Sequence, residues 1–185
     1  MKETATELIA QLRSNAVEAF DRLIEQYGDR LYWHIRRVVV NHEDAEDVLQ
    51  ETFAKAYTSI ADFRGDSESS LTAWLYRIAT NIAINVLRKR KKWVLSSLDS
   101  VRGDLLATFE HEIDPSADEI VVRLQKTILA LPTKQRLVFN MRYYDELSFE
   151  QISQATGDSV STLKTNYHYA VKKVKEQVRV IELED

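Results

Sequence analysis

The sequence predicts an all-α protein made of two small helical domains joined by a linker. Only four Gly and two Pro occur among 185 residues, so the chain is poor in the residues that punctuate turn-rich β folds. Apolar residues recur at three- and four-residue spacings along most of the chain, which is the period of an amphipathic helix. A hydrophobic content of 44% is enough for a packed core.

The N-terminal domain, residues 1–92, is predicted to contain four helices. They cover about residues 5–13, 16–39, 43–59 and 71–92. Asn41 can cap the third helix and Ser70 the fourth, because short polar side chains accept hydrogen bonds from the free N–H groups of a first turn. A polar loop that contains Gly65 joins these two helices.

The linker is predicted at residues 93–115. Helical periodicity breaks there, and Ser96, Ser97, Gly103 and Pro115 punctuate the stretch. Five acidic residues and one basic residue fall in this segment, so its net charge equals the chain's net charge of −4.

The C-terminal domain, residues 116–185, is also predicted to be helical. Ser116 followed by Glu119, and Ser148 followed by Gln151, have the spacing of capping boxes. Leu131-Pro132 ends one helix and starts the next, Gly157 suits a left-handed helix end, and Ser159 can cap a last helix to about residue 181.

A helix that runs into a block of bases is the most distinctive feature of the N-terminal domain. Arg77, Asn81, Asn85 and Arg88 lie at spacings of four, four and three, which place them on one helical face. Lys89, Arg90, Lys91 and Lys92 follow and complete a cationic end. Amide and guanidinium groups suit bases and phosphates, although cations at a helix C-terminus are also favoured by the helix dipole alone.

An acidic helix start precedes that basic helix. Acids in a first turn are expected from the helix dipole, which accounts for Glu43, Asp44 and Glu46. Asp47, Gln50 and Glu51 lie deeper and close to one face. They fit either a docking surface for a basic partner or an ordinary solvated face.

The loop between these two helices contains Phe63, Arg64 and Gly65. An aromatic ring, a cation and small hydroxyl residues in one loop can hold an extruded base. An ordinary polar connection between helices has the same composition, and the loop by itself does not decide between them.

A helix-turn-helix is predicted over residues 147–178. A short capped helix, Gly157 in the turn and a longer helix follow in that order. The last helix leaves five polar residues outward near its N-terminal half: Ser161, Thr162, Lys164, Thr165 and His168. DNA binding in the major groove explains this order better than a plain helical hairpin does.

Enzyme chemistry finds little support in the sequence. The four histidines are scattered without metal-ligand spacing, and no phosphate-binding glycine loop or nucleophile–base signature is visible. We therefore expect no catalytic residues, no metal and no cofactor. With no cysteine, no signal-peptide pattern and no apolar run of membrane-spanning length, we expect a cytoplasmic protein outside the membrane.

Taken in order, these elements resemble the extracytoplasmic function sigma factors of the sigma-70 family. The resemblance spans nearly the whole chain and rests on three sets of residues. The first set is the run from Asp44 to Phe53. The second set is Phe63-Arg64-Gly65 together with the run from Trp74 to Asn81. The third set contains Leu131-Pro132, Arg136, the run from Ser148 to Ile152 and the run from Thr162 to Lys164.

The resemblance implies a non-enzymatic initiation subunit that gives core RNA polymerase its choice of promoter. Residues 1–92 would be sigma region 2 and residues 116–185 sigma region 4. Asp47, Gln50 and Glu51 would bind the polymerase, mainly at the β′ clamp helices, with the β subunit as a further partner. The acidic linker would thread toward the active-site cleft.

The resemblance also divides promoter recognition between the two domains. The predicted minus-ten residues are Phe63, Arg64, Arg77, Asn81, Asn85, Arg88, Lys89 and Arg90. The predicted minus-thirty-five residues are Ser161, Thr162, Lys164, Thr165, His168 and Lys172. Asn166, Tyr169 and Val171 stand where the family often has Arg, so the promoter sequence does not transfer from relatives.

Further partners and one alternative complete these expectations. The family implies an anti-sigma factor, commonly membrane-anchored, and a nucleoid location when the protein is bound to polymerase. The alternative is a stand-alone regulator that binds a palindromic operator as a dimer through its helix-turn-helix. A helical interaction module without nucleic acid would show no salt-dependent DNA affinity.

Overall fold

The computed structural model describes residues 5–14, 17–93, 98–113 and 116–184, apart from the side chains at 90–93, 98–102, 104 and 180–184. Within those ranges the chain forms helices and no strand. The helices are α1 (Ala5–Arg13), α2 (Val17–Val39), α3 (His42–Ser59), α4 (Glu68–Trp93), α5 (Leu98–Glu112), α6 (Glu119–Leu129), α7 (Thr133–Tyr143), α8 (Phe149–Thr156) and α9 (Val160–Glu184). The all-α prediction is confirmed.

Most of the predicted helix ends are confirmed by their hydrogen bonds. The Asn41 side chain accepts from the backbone N–H of Asp44, and Ser148 and Gln151 form a complete capping box. Gly157 ends α8 with a φ of 79°, in the left-handed region that glycine adopts most easily. The Ser159 hydroxyl accepts from the N–H of Thr162 at the start of α9.

Two predicted caps were wrong. Helix α4 begins one turn before the predicted position, so Ser70 lies inside it, and Ser67 and Ser70 exchange side-chain to backbone hydrogen bonds at its start. Helix α6 is capped by Asp118, whose carboxylate accepts from the N–H of Ile120, rather than by Ser116. In both cases a nearby polar residue competes for the same free N–H groups.

The stretch predicted as a linker without helical periodicity contains helix α5. Leu105 on this helix is buried, and Leu106 and Phe109 pack against the same core. The helix end is tied to the N-terminal helices by Glu112, which pairs with Arg36 at 2.5 Å and accepts from the Asn41 amide at 2.9 Å. The domain bounds themselves stay a prediction.

The N-terminal and C-terminal helices share a hydrophobic core, and a second cluster made of Ile128, Leu131, Phe139 and Ala170 lies within the C-terminal helices. Helices α2, α3 and α4 pack against one another, while α6, α7 and α8 surround or adjoin α9. Helix α8 packs on both α4 and α9, and α2 contacts α7. The core cluster runs without a break from Leu75 and Ala79 on α4 to Ile152 on α8 and Leu163 on α9. The first helix of the helix-turn-helix therefore lies between the two helices expected to read DNA.

Candidate functional site

The predicted polymerase-binding residues lie on the solvent face of α3. Asp47, Gln50 and Glu51 are exposed, whereas Val48 and Thr52 on the opposite face are buried. In the part of the chain that the structure describes, neither Asp47 nor Glu51 forms an ion pair. Both carboxylates are presented to solvent.

The loop after α3 is held in place by α1. The Arg13 guanidinium donates to the carbonyl oxygens of Phe63 at 3.1 Å and Gly65 at 2.6 Å, and it lies 5.8 Å from the centre of the Phe63 ring. The loop thus has a fixed path, set by a residue that the sequence did not single out.

Phe63, predicted to contact minus-ten DNA, is instead buried. Only 6% of it is exposed, and its ring packs 4.9 Å from that of Trp74. A ring in this position cannot stack on a base without leaving the core, so the structure does not support the direct contact. Arg64 next to it is exposed and donates to the carbonyl of Ala61.

Gly65 fits the loop because no side chain could. A Cβ atom there would overlap the end of the Phe63 ring and would lie 2.7 Å from Cβ of Ser70. Such crowding involves the base of a side chain on α4, not only a flexible tip. The glycine therefore allows Phe63 to be buried and α4 to begin at the same place.

The polar stripe on α4 faces solvent as the spacing predicts. Its exposed members are Arg77, Asn81, Asn85, Arg88 and Lys89. Arg90 continues the helix, but its side chain lies outside the described residues. The opposite face is buried through Leu75, Ala79 and Ala83. The helix therefore presents amides and cations to solvent along its length.

The predicted recognition surface on α9 is also exposed. Its members are Ser161, Thr162, Lys164, Thr165, His168 and Lys172. Leu163 and Ala170, which lie between them in the sequence, are buried. The amphipathic pattern of this helix is confirmed, and the six side chains lie on its accessible part.

Phe149 lies between two cations at the N-terminus of α8. The Arg142 guanidinium is 5.6 Å and the Lys164 ammonium 5.8 Å from the centre of its ring. Aromatic rings attract cations at these distances through their quadrupole. The Lys164 ammonium therefore lies within cation–π distance of the first residue of α8, an arrangement that sequence spacing did not indicate.

A buried polar cluster joins the N-terminal and C-terminal helices. His34 on α2 is fully buried, with its Nδ1 2.8 Å from the Asp145 carboxylate and its Nε2 2.9 Å from the Thr80 hydroxyl. Arg37 donates to the other carboxylate oxygen of Asp145. No local pattern in the sequence indicates this cluster, because His34 and Asp145 are 111 residues apart.

Burial changes the proton affinity of two further groups, Tyr76 and Arg136. Desolvation raises the pKa of the Tyr76 hydroxyl, and the nearby Asp145 carboxylate raises it further. Burial lowers the pKa of Arg136 to about 10. Its guanidinium donates to the carbonyl oxygen of Leu129 at 3.4 Å. Neither group lies on an exposed face where DNA is expected.

Among the described residues, no group of three or more His, Cys, Asp or Glu side chains could hold a metal ion. No helix in that part of the chain is long and apolar enough to cross a membrane.

Comparison with known proteins places both halves of the chain in one family. Residues 23–93 match the family model described as Sigma-70 region 2, and residues 122–174 match Sigma-70, region 4. The ECF RNA polymerase sigma factor SigW of Bacillus subtilis is 32% identical over 92% of this chain and 95% of its own length.

Two solved structures share the fold. The structure of CnrH in complex with the cytosolic domain of CnrY aligns with a TM-score of 0.67 and 23% identity, over 94% of this chain and 96% of that chain. The sigma factor RpoE of Bartonella quintana, in a co-crystal with the anti-sigma factor NepR, gives a TM-score of 0.66 and 20% identity over 87% of this chain and 97% of that chain.

Proposed function

Because the chain belongs to the extracytoplasmic function sigma factors of the sigma-70 family, we propose a division of labour among its three exposed polar surfaces. It is an alternative sigma factor that directs promoter-specific transcription initiation. The observation that carries the proposal is that the predicted contact residues on α3, α4 and α9 whose side chains the structure describes are exposed, while Phe63 in the loop before α4 is buried. Such a factor binds polymerase and DNA and is not itself a catalyst.

The α3 surface docks on core RNA polymerase. Asp47, Gln50 and Glu51 supply two carboxylates and an amide on one exposed helical face. These groups suit the β′ clamp helices, and the β subunit is the further contact. Complementary charge at such a surface speeds the encounter and fixes its register.

The α4 surface receives the melted minus-ten strand. Arg77, Asn81 and Asn85 offer donors to bases and phosphates, while Arg88 and Lys89 add cations at the helix end. Arg64 on the fixed loop adds a cation beside the expected path of the strand. Phe63 supports this loop from inside instead of stacking on a base.

The α9 surface reads the minus-thirty-five duplex. Lys164, Thr165 and His168 lie on the exposed part of the first half of the helix, where a recognition helix meets base edges. Lys172 lies about one turn beyond His168 and would contact phosphate. Ser161 and Thr162 at the helix start complete the surface.

The proposed partners include an anti-sigma factor. The structurally similar CnrH and RpoE were each solved with another protein, CnrY and NepR respectively, and the latter is named as an anti-sigma factor. A membrane-anchored member of that class is the proposed regulator of this chain. Because this chain acts in transcription, we place it in the cytoplasm and, when it is bound to polymerase, at the nucleoid.

The central test is reconstituted transcription with core polymerase and mapping of the start sites. Asp47→Ala with Gln50→Ala should weaken core binding, whereas Asp21→Ala with Gln26→Ala, the same residue types exposed on α2, should not. Failure of the wild-type chain to bind core polymerase would refute the proposal. A homodimer that binds a palindrome without polymerase would instead support the stand-alone regulator.

A further inference from the structure

Helix α1 lies against the loop of residues 63–67 that leads into α4. Three apolar residues of this helix are buried and give it a fixed place in the core: Leu8, Ile9 and Leu12. Arg13 is the last residue of α1 and directly follows the buried part. Near the other end of the helix, the Thr6 hydroxyl donates to the carbonyl oxygen of Asp66 at 3.4 Å. Both ends of α1 therefore reach the same loop.

The stronger link between α1 and the loop is made by Arg13. One nitrogen of its guanidinium, Nη2, donates to the carbonyl oxygens of Phe63 at 3.1 Å and Gly65 at 2.6 Å. Hydrogen bonds from a charged donor are stronger than those between neutral groups. Because the two acceptors belong to residues that are not adjacent, the bonds hold the backbone on both sides of Arg64.

The backbone held in this way turns Arg64 toward solvent. Phe63 is buried and Arg64 is exposed, and a Cβ atom at Gly65 would point back at the Phe63 ring. Successive residues of the loop therefore face into the core, outward and into the core again. The Arg64 guanidinium, which donates to the carbonyl oxygen of Ala61, is presented on the outer side just before α4 begins.

The Phe63 ring links Arg13 to α4 as well. The ring centre lies 5.8 Å from the Arg13 guanidinium and 4.9 Å from the ring of Trp74 on α4. A cation at that distance is attracted by the quadrupole of the ring. Arg13 thus contacts both the backbone of the loop and its buried side chain, which in turn packs on the helix that carries the exposed polar stripe.

We propose that Arg13 is a positioning residue for promoter opening, which acts by holding the loop of residues 63–67 in the shape that receives the melted minus-ten strand. This inference rests on the proposed function, since it assumes that the loop and α4 take up that strand. A loop that is already ordered loses less conformational freedom when a ligand binds. Loss of Arg13 therefore slows the opening step and leaves the surfaces on α3 and α9 unchanged.

The test measures two steps of initiation separately, with the full chain and core polymerase. Arg13→Met nearly keeps the length of the side chain and removes its donors. It should slow promoter opening about tenfold, followed by the fluorescence of 2-aminopurine in the minus-ten element, because a pair of charge-assisted bonds is lost. Affinity for a duplex that carries only the minus-thirty-five element should stay within about twofold, since α9 is untouched. Arg123→Met makes the same chemical change in an exposed pair with Glu119 on α6 and should alter neither quantity.

A conservative variant should restore the function of Arg13. Both bonds to the loop come from one nitrogen, so the single ammonium group of a lysine can donate to the same two carbonyl oxygens. Arg13→Lys should therefore open the promoter within about threefold of the wild-type rate. Equal slowing in Arg13→Lys and Arg13→Met would contradict the assignment of the effect to these two bonds.

Amide hydrogen exchange in the free protein measures the order of the loop itself. The N–H of Phe63 donates to the carbonyl oxygen of Ile60, and the N–H of Ser67 donates to the Ser70 hydroxyl. Both should exchange about tenfold faster in Arg13→Met, because exchange requires local opening of the loop. Slow promoter opening with unchanged exchange would show that Arg13 contacts DNA itself, and would overturn the proposal.

Failure of this inference and failure of the proposed function give different results. If the wild-type chain does not bind core polymerase, the proposed function fails, and the exchange measurement still tests the hold of Arg13 on the loop. If the wild-type chain initiates and Arg13→Met opens the promoter at the same rate, only the positioning role fails. Circular dichroism checks that Arg13→Met folds. If it does not, Arg13→Gln, which is too short to reach both carbonyl oxygens, replaces it with the same expected results.

Discussion

Replacing Gly65 with alanine should destabilise the protein, although the same replacement at Gly28 should stabilise it. A Cβ atom at Gly65 would overlap Phe63 and Ser70, whereas a Cβ atom at Gly28 on α2 meets nothing within 4 Å. Alanine is also the better helix former, by about 0.5–1 kcal/mol relative to glycine. The two variants thus make the same chemical change, with opposite expected effects on the free energy of unfolding.

The expected loss of stability in Gly65→Ala follows from the two side chains that must move, Ser70 and Phe63. Displacing Ser70 breaks its reciprocal bonds with Ser67 at the start of α4, and losing a helix cap costs about 0.5–2 kcal/mol. Driving Phe63 from its buried place costs up to about 1.5–3 kcal/mol. We expect Gly65→Ala to lower the free energy of unfolding by about 2–4 kcal/mol.

Urea unfolding followed by circular dichroism measures both variants. The rate of promoter opening by the reconstituted polymerase then reports whether the loop still has its shape, and Gly65→Ala should slow it. The reasoning is refuted if Gly65→Ala changes the free energy of unfolding by less than about 0.5 kcal/mol while Gly28→Ala increases the free energy of unfolding. The loop would then accommodate a Cβ atom without loss of stability.

Three other predictions address different parts of the molecule. Burial raises the pKa of Tyr76, so the free energy of unfolding should be highest below about pH 10, where an unfolded tyrosine ionises. Above that pH it should fall by up to about 1.4 kcal/mol per pH unit. Tyr76→Phe should make that fall less steep in urea unfolding measured from about pH 8.5 to about pH 11. Leu105→Ala should cost about 2–5 kcal/mol in the same assay, because Leu105 docks α5 in the core; a surface-like loss below about 0.5 kcal/mol would show that α5 is not docked in solution. Lys164→Ala should change minus-thirty-five preference by about 1–3 kcal/mol in competition binding, and an equal loss on every sequence would assign Lys164 to phosphate instead.

Local sequence signals predicted much of this fold. The caps at Asn41, Ser148 and Ser159 and the turn at Gly157 depend on neighbours three or four residues away, so spacing was enough to find them. Helix α5 was missed because its docking depends on Leu105 and Glu112, which contact residues far away in the chain. Such tertiary contacts override weak periodicity.

The candidate site was predictable where it is exposed and amphipathic. On α3, α4 and α9 the polar residues between buried ones could be read from helical spacing. The roles of Phe63, Arg13 and His34 could not. The sequence of a loop does not show whether its aromatic ring is buried or exposed, as it is at Phe63. The contact between His34 and Asp145 leaves no local pattern in the sequence.

The placement of α8 on α4 also has a consequence for synthesis on the ribosome. The N-terminal helices are complete at Trp93, but α8 ends only at Thr156. The ribosome adds about 5–20 residues per second, so several seconds pass before α8 is synthesised and can pack on the apolar face of α4. During that interval the nascent chain presents the surface that later joins its two halves, which makes this stage the one most exposed to chaperones and to aggregation.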